Sequence, residues 1–244
     1  MNGVQLCARF SIATNRLLYC GPSDAGGTLE RAILDGTDLD VAERALRQFE
    51  ALAPYLEAIA AKHDRKPFDH EVVEAYWLGN ELLDGWRPED FRRILEVLQK
   101  RGLPRRIADR LAAHLPENPI PHHMFHVSYV GVGAVTGKVQ TTLENMDLCR
   151  PSWGRVVERD RRTIAVDRAS LVLEGGRLAL GPSSRQAYEV DDRFLPGLRL
   201  GDSVALHWGW PALRLDAKQL DRLQTYTERS LDASNRALKD LGVL

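Results

Sequence analysis

The sequence has few cysteines and no long apolar run, and both shortages exclude classes of protein. Of its 244 residues only Cys7, Cys20 and Cys149 are cysteines. They are widely spaced and form no C-x-x-C pair, which argues against a disulfide framework and a four-thiolate zinc site. No apolar run approaches the roughly 20 residues of a membrane-spanning helix. The N-terminal residues lack a basic segment followed by an apolar block, so we expect no secretory signal, no membrane partner and a cytoplasmic protein.

A large net charge is also missing. The 33 basic and 34 acidic side chains leave a formal charge of −1. Nucleic-acid-binding proteins usually carry a basic excess or a basic stripe. The densest basic run here, residues 159–168, is interrupted by Asp160 and Asp167. We therefore expect no nucleic-acid partner. There is also no Gly-rich phosphate loop, no G-x-S-x-G and no H-E-x-x-H motif.

The first half of the chain predicts a helical domain over residues 1–120. Residues 1–30 mix short apolar runs with Gly and Pro turn signals and predict irregular structure with at most one short strand. From Asp38 onward, apolar residues recur at three- and four-residue steps, which is typical of amphipathic helices. The predicted helices are one from Asp38 that breaks at Pro54 and then resumes, one over 69–83, one from Pro88 to Gly102 and one over 105–115.

Beyond these helices the pattern changes to that of an α+β protein. Residues 121–145 form a predicted connecting segment, in which 125–132 is strand-like. Residues 146–244 predict a small OB-like antiparallel β-barrel with a closing C-terminal helix from near Asp216. Within it, Glu174-Gly175-Gly176-Arg177 joins two apolar runs, as a tight hairpin would.

The connecting segment contains a histidine cluster, His122, His123 and His126. On a strand, His122 and His126 would face the same side, and they would also converge on a helical turn. Imidazoles are common metal ligands, so the cluster predicts a metal site and, with it, a metal-dependent enzyme at the domain junction. The other interpretation is structural, because no second spaced pair of ligands accompanies the cluster.

Two motifs bound the β-rich part. The first has Cys149 five residues before Gly154, which is followed by Arg155-Val156-Val157; the second is Gly201-Asp202-Ser203-Val204-Ala205-Leu206-His207-Trp208-Gly209-Trp210 ahead of a helix. These stretches resemble the start and end of the HypC/HupF family of small [NiFe]-hydrogenase maturation chaperones. That family begins with a cysteine, has a Gly-basic-Val-Val strand five residues later, and closes with Gly-Asp-x-Val-x-x-His-x-Gly-aromatic. The resemblance covers about residues 148–235.

The resemblance implies a role in assembling the [NiFe] active site. Cys149, assisted by His207, would hold iron that carries cyanide and carbon monoxide. The implied partners are a HypD-type scaffold protein and the hydrogenase large-subunit precursor, and the protein would be a carrier or chaperone. The chemistry of the residues agrees, because a thiolate is a soft ligand suited to iron with strong-field partners. His207 or Arg150 would lower the pKa of the thiol if either lay beside it.

The sequence departs from the family in two places. The family's cysteine becomes the first residue once the initiator methionine is removed, whereas Cys149 follows 148 others. The proline that precedes the family's glycine is Trp153 here. A purely structural interpretation also stays open, with a buried Cys149 at the start of a strand and a hydrogen-bonded His207 inside the barrel.

Overall fold

The computed structural model describes residues 1–240 and confirms the α+β class. Helices occupy the first half, a five-stranded antiparallel sheet follows, and a long helix packs against both. The helices are α1 (Gly3–Arg16), α2 (Gly26–Leu34), α3 (Leu39–Leu46), α4 (Leu52–Lys62), α5 (His70–Trp77), α6 (Pro88–Lys100), α7 (Arg105–Ala113), α8 (His123–Phe125), α9 (Leu143–Cys149) and α10 (Ala217–Asp240). One core cluster includes residues of α1, the sheet and α10, so the two halves share their hydrophobic interior.

The prediction of irregular structure over residues 1–30 is wrong, because α1 and α2 occupy most of it. Asn2 caps α1, and the side chain of Gln5 completes a capping box with it. Nearly the whole circumference of α1 is buried, including the polar side chains of Ser11 and Thr14. A helix that is buried all round has no polar face, so the periodic pattern that reveals a surface helix is missing.

The other helices follow the prediction with two differences at their ends. The predicted helix from Asp38 breaks after Leu46, and Pro54 lies in the first turn of α4, where its missing N–H costs nothing. The predicted helix over 69–83 stops at Trp77 and is followed by a 3₁₀ turn, Glu81–Leu83. The cause of this stop is Gly79, whose φ of +88° no helix can accommodate.

Gly79 also lies directly against α10, which gives a test of the packing. A Cβ added at Gly79 would lie 2.2 Å from the ring and 2.6 Å from the Cβ of Tyr226. At Gly85, with φ +68°, an added Cβ meets nothing within 4 Å. Both alanine variants bear the left-handed backbone cost of about 1–2 kcal/mol. We expect Gly79→Ala to lose a further ~1–3 kcal/mol of unfolding free energy in urea, because α10 must move. Equal losses in the two variants would contradict this packing.

The histidine segment is helical, so the predicted strand over 125–132 is wrong. One helical turn, α8, runs directly into a π-helical turn, His126–Gly131. All the side chains from His122 to Val132 are buried. An apolar run that is buried on every side has the same periodicity whether it is a strand or a helix.

The five strands form an open sheet rather than the predicted closed barrel. They are β1 (Ser152–Arg159), β2 (Thr163–Glu174), β3 (Arg177–Glu189), β4 (Ser203–His207) and β5 (Trp210–Leu215). Their hydrogen-bonded order in residues 1–240 is β3-β2-β1-β4-β5, so β3 and β5 are the edges. The hairpin at Glu174–Arg177 is confirmed. Asn235 of α10 bonds both the N–H and the C=O of Leu178 at 2.9 Å, which covers part of one edge.

In the part of the chain that the structure describes, no helix combines the length and the apolar character needed to cross a membrane.

Candidate functional site

Three side chains from distant parts of the chain converge between the helices and the sheet. They are His123, at the start of α8, Cys149, at the end of α9, and His207, at the end of β4. One nitrogen from each imidazole and the Sγ of Cys149 all lie within 4.8 Å of one another. The Sγ of Cys149 is 3.6 Å from His123 Nε2. We call these three residues the His–Cys–His cluster.

The sheet topology explains why the two sequence motifs meet. Strand β1, which follows Cys149, pairs with β4, and Ser152 lies opposite Leu206. Beyond the end of β4, the backbone N–H of Trp208 donates to the carbonyl of Leu148 at 2.7 Å. The residue after Leu148 and the residue before Trp208 are the cysteine and the histidine, so this pairing brings Cys149 beside His207.

His207 is held in one tautomer with a free nitrogen. Its Nδ1 lies 2.6 Å from the carbonyl oxygen of Phe10 in α1. Because a carbonyl only accepts, Nδ1 carries the proton and Nε2 keeps its lone pair. Nε2 is buried and has no hydrogen-bond partner among residues 1–240. Burial lowers the pKa of His207 to about 4, against a smaller opposing effect of the Phe10 and Cys149 carbonyls. The neutral ring with a bonded Nδ1 is the usual form of a metal ligand.

His123 has the same arrangement with a different partner. Its Nδ1 lies 2.7 Å from the hydroxyl of Tyr76, and its ring packs 4.4 Å from that of Trp77 and 5.2 Å from that of His207. Burial, and next the nearby imidazole of His207, holds the pKa of His123 well below its ordinary value. This imidazole is therefore also neutral, with Nε2 directed at the thiol.

Cys149 is only partly buried as a residue, but its thiol is buried between the two imidazoles of the cluster. Burial raises the pKa of the Cys149 thiol, the thiol of Cys20 adds to the rise, and the indole of Trp208 opposes it. Arg150 does not favour the thiolate as predicted, because its guanidinium donates to Asp147 at 2.9 Å. Without a metal ion, Cys149 is therefore a thiol at neutral pH.

The turn beside the cluster has a strained backbone. Trp208 and Gly209 connect β4 to β5 with φ of +52° and +71°, which is a two-residue turn of the type I′ kind. A bulky residue with positive φ is unusual and costs of order 1–3 kcal/mol. The ring of Trp208 packs 4.8 Å from that of Tyr19, so the segment after α1 covers this turn.

Two residues before Cys149, the carboxylate of Asp147 forms ion pairs with two buried guanidiniums. Asp147 lies 2.9 Å from Arg150 Nε and 2.7 Å from Arg168 Nη2, and it accepts from the N–H of Leu171 at 2.7 Å. Arg150 is 1% exposed and Arg168 is 4% exposed. Burial would raise the pKa of Asp147, but the two guanidiniums outweigh it and hold the pKa below its ordinary value. This triad fixes the end of α9, and thereby Cys149, on the sheet.

The other two predicted histidines lie outside the cluster. The Nδ1 of His126 lies 3.0 Å from the hydroxyl of Tyr55, and the Nδ1 of His122 accepts from the N–H of Met124 at 3.2 Å. Sequence reasoning missed Tyr76 and the carbonyl of Phe10, because no local pattern indicates which residue will bond a distant imidazole. It also treated His123 as part of a separate site, whereas the fold joins it to Cys149 and His207.

A thiol and two neutral imidazoles form a donor set for transition-metal ions. Thiolate and imidazole together suit zinc, cobalt, copper and iron, and they suit magnesium and calcium poorly. One feature of the site fits a bound metal ion: His207 Nε2 is a buried acceptor for which residues 1–240 provide no hydrogen-bond donor.

Comparison with known proteins gives a family. No curated protein and no solved structure matches the chain. The family model DUF6390, described as a family of unknown function, matches residues 1–241. The chain therefore belongs to the DUF6390 family.

Proposed function

We propose that this protein is an accessory protein of [NiFe]-hydrogenase maturation that carries an iron-cyanide-carbonyl unit on Cys149 and His207. The observation that carries the proposal is the position of the cysteine thiol and the histidine imidazole, whose ligand atoms lie within 4.8 Å of each other. The resemblance to the HypC/HupF chaperones rests on two motifs about 50 residues apart in the sequence. Those motifs contribute the two ligands of one site.

The departures from that family are compatible with binding an iron unit. The 148 residues that precede Cys149 leave the residue only partly buried, although its thiol lies within the buried His–Cys–His cluster. The helical part also contributes to the site, since the carbonyl of Phe10 orients His207. Its partners would be a HypD-type scaffold protein, which supplies the iron unit, and the hydrogenase large-subunit precursor, which receives it.

Infrared spectroscopy tests the iron unit directly. We expect cyanide and carbonyl stretching bands from protein purified without oxygen from cells that make the hydrogenase-maturation machinery. The bands should disappear in Cys149→Ala, because the thiolate is the ligand that holds the iron. The matched control is Cys20→Ala, which removes a neighbouring thiol and should keep the bands. Bands of equal intensity in Cys149→Ala, or no bands in the native protein, would contradict the proposal.

One observation favours a second function: His123, which belongs to the connecting segment, lies in the same cluster as Cys149 and His207. In a metal-dependent enzyme with a site at this junction, the metal ion would be resident and not transferred. The two functions differ in exchange: a carrier loses its iron to a large-subunit precursor, whereas an enzyme keeps its metal. Metal analysis before and after incubation with the precursor distinguishes them.

A further inference from the structure

We propose that His123 is the third ligand of the site, so that His123, Cys149 and His207 bind one transition-metal ion together from the same side, with Tyr76 positioning His123. This inference rests on the proposed function for the roles of Cys149 and His207. It adds a ligand from the helical half of the chain, which the resemblance does not cover.

The distances support a shared ion. A metal ion about 2.0–2.3 Å from each of a sulfur and a nitrogen ligand separates those two atoms by roughly 3.0 Å in octahedral geometry and roughly 3.5 Å in tetrahedral geometry. The Sγ of Cys149 and Nε2 of His123 are already 3.6 Å apart. The third ligand atom, on His207, lies no more than 4.8 Å from either. Side-chain rotations that shift the ligand atoms by up to about 2 Å relative to one another are enough to close the set.

The hydrogen bonds of the rings also support it. A histidine that binds a metal through one nitrogen usually donates its other N–H to a fixed acceptor. His207 donates to the carbonyl of Phe10, and His123 has the hydroxyl of Tyr76 at 2.7 Å. When Nε2 of His123 binds a metal ion, Nδ1 must carry the proton and Tyr76 must accept it. Tyr76 is completely buried, which prevents water from taking its place.

The coordination number gives the class of ligand. Three protein atoms on one side of an octahedral ion leave three positions open on the other side, as in the facial triads of non-haem iron proteins. Three open positions suit small diatomic ligands such as cyanide and carbon monoxide. An iron unit of that kind would be fully coordinated by this chain alone, without a ligand from the scaffold protein.

Binding is a proton exchange without redox change. The thiol of Cys149 releases its proton to water, and the resulting thiolate donates an electron pair to the metal ion. The two imidazoles, which are already neutral, each donate a lone pair from Nε2. The S–H bond would break, the three donors that the protein atoms replace (water on a hydrated ion) would leave the metal ion, and its oxidation state would be unchanged.

Cobalt binding to the full chain tests the third ligand. Co²⁺ added under argon should produce thiolate-to-cobalt charge-transfer absorption in the native protein. We expect His123→Gln to weaken Co²⁺ binding by about 100-fold or more, since one of three ligands is lost. His126→Gln removes a buried histidine of the same segment that is outside the cluster, and its affinity should stay within about threefold of native. Equal affinities in the native protein and His123→Gln would overturn the inference.

Tyr76 is tested with a matched tyrosine. We expect Tyr76→Phe to weaken Co²⁺ binding about 10–100-fold, whereas Tyr55→Phe, which removes the equivalent hydroxyl from His126, should not. Proton NMR of the cobalt form gives a readout that a structural role would not change. The native protein should show two paramagnetically shifted, exchangeable imidazole N–H signals, and Tyr76→Phe should lose only the one from His123. Retention of both signals would overturn the positioning role.

A measurement on the native chain decides the question even if His123→Gln does not fold. X-ray absorption at the cobalt edge should show one sulfur and two imidazole nitrogens, and a single imidazole would overturn the inference. This failure is distinguishable from that of the proposed function. Infrared bands that need Cys149 but persist in His123→Gln would refute only the third ligand. A complete three-ligand cobalt site without cyanide or carbonyl bands in the purified protein would refute only the iron unit.

Discussion

Replacing Asp147 with asparagine is expected to lower the free energy of unfolding by about 3–5 kcal/mol, because it leaves two buried guanidiniums without a counter-charge. Arg150 and Arg168 are almost inaccessible to water, and both bond the same carboxylate. Asparagine keeps the shape of the side chain but removes the negative charge, so the variant isolates the electrostatic contribution. Urea unfolding followed by circular dichroism measures the change.

The control for Asp147→Asn is the same change at Asp167, an aspartate at the surface of strand β2. Asp167 lies 3.8 Å from Arg185, and the two side chains are 46% and 59% exposed. A surface ion pair of this kind contributes at most about 1 kcal/mol, so Asp167→Asn should change the unfolding free energy by less than that. Similar losses in the two variants would mean that the triad around Asp147 does not hold the end of α9.

Acidification is expected to destabilise the metal-free protein progressively once the pH falls below about 6.5. Burial lowers the pKa of His122 to about 3 and of His126 and His207 to about 4, and it holds that of His123 well below its ordinary value. In the unfolded chain each imidazole has a pKa of about 6.5. Between the two values the unfolded state binds more protons, so lowering the pH favours it.

The size of this effect follows from the number of protons. Each buried imidazole removes about 1.4 kcal/mol of stability per pH unit below pH 6.5, so four together remove roughly 5 kcal/mol per unit. A domain stable by about 5–15 kcal/mol would then unfold within about one to three pH units. Urea unfolding at several pH values measures how steeply the unfolding free energy falls with pH. In His126→Gln this slope should be smaller by about 1.4 kcal/mol per pH unit, the contribution of one imidazole. A stability that stays constant from pH 7 to pH 5 would show that these histidines are accessible to water.

Local sequence signals predicted the elements whose ends are set by local chemistry. Pro88 and Gly102 bound a helix in the sequence and in the fold, and Gly175-Gly176 forms the predicted hairpin. The resemblance to the HypC/HupF family paired Cys149 with His207, and the fold brings these two side chains together. For the helix and the hairpin, the signal is a backbone preference that holds in any tertiary context.

Two of the elements that sequence reasoning missed are buried on every side. Helix α1 and the segment from His122 to Val132 have no exposed face, so their apolar pattern has no period to detect. The contact by which α10 covers part of the β3 edge joins residues 57 positions apart, so no local pattern indicates it. The partnership of His123 with Cys149 likewise depends on how the helices pack and not on spacing.

The hydrogen bond between Phe10 and His207 links residues 197 positions apart. Because of this separation, the site can form only late in the synthesis of the chain. Synthesis proceeds from the N-terminus, so Cys149 and His123 are made before the chain that ends β4 exists. A metal ion of the kind proposed would meet all three side chains only after that strand has left the ribosome and paired with β1. Under the proposal, loading would follow the folding of β4, and a partner that delivers metal would recognise the folded protein rather than a growing chain.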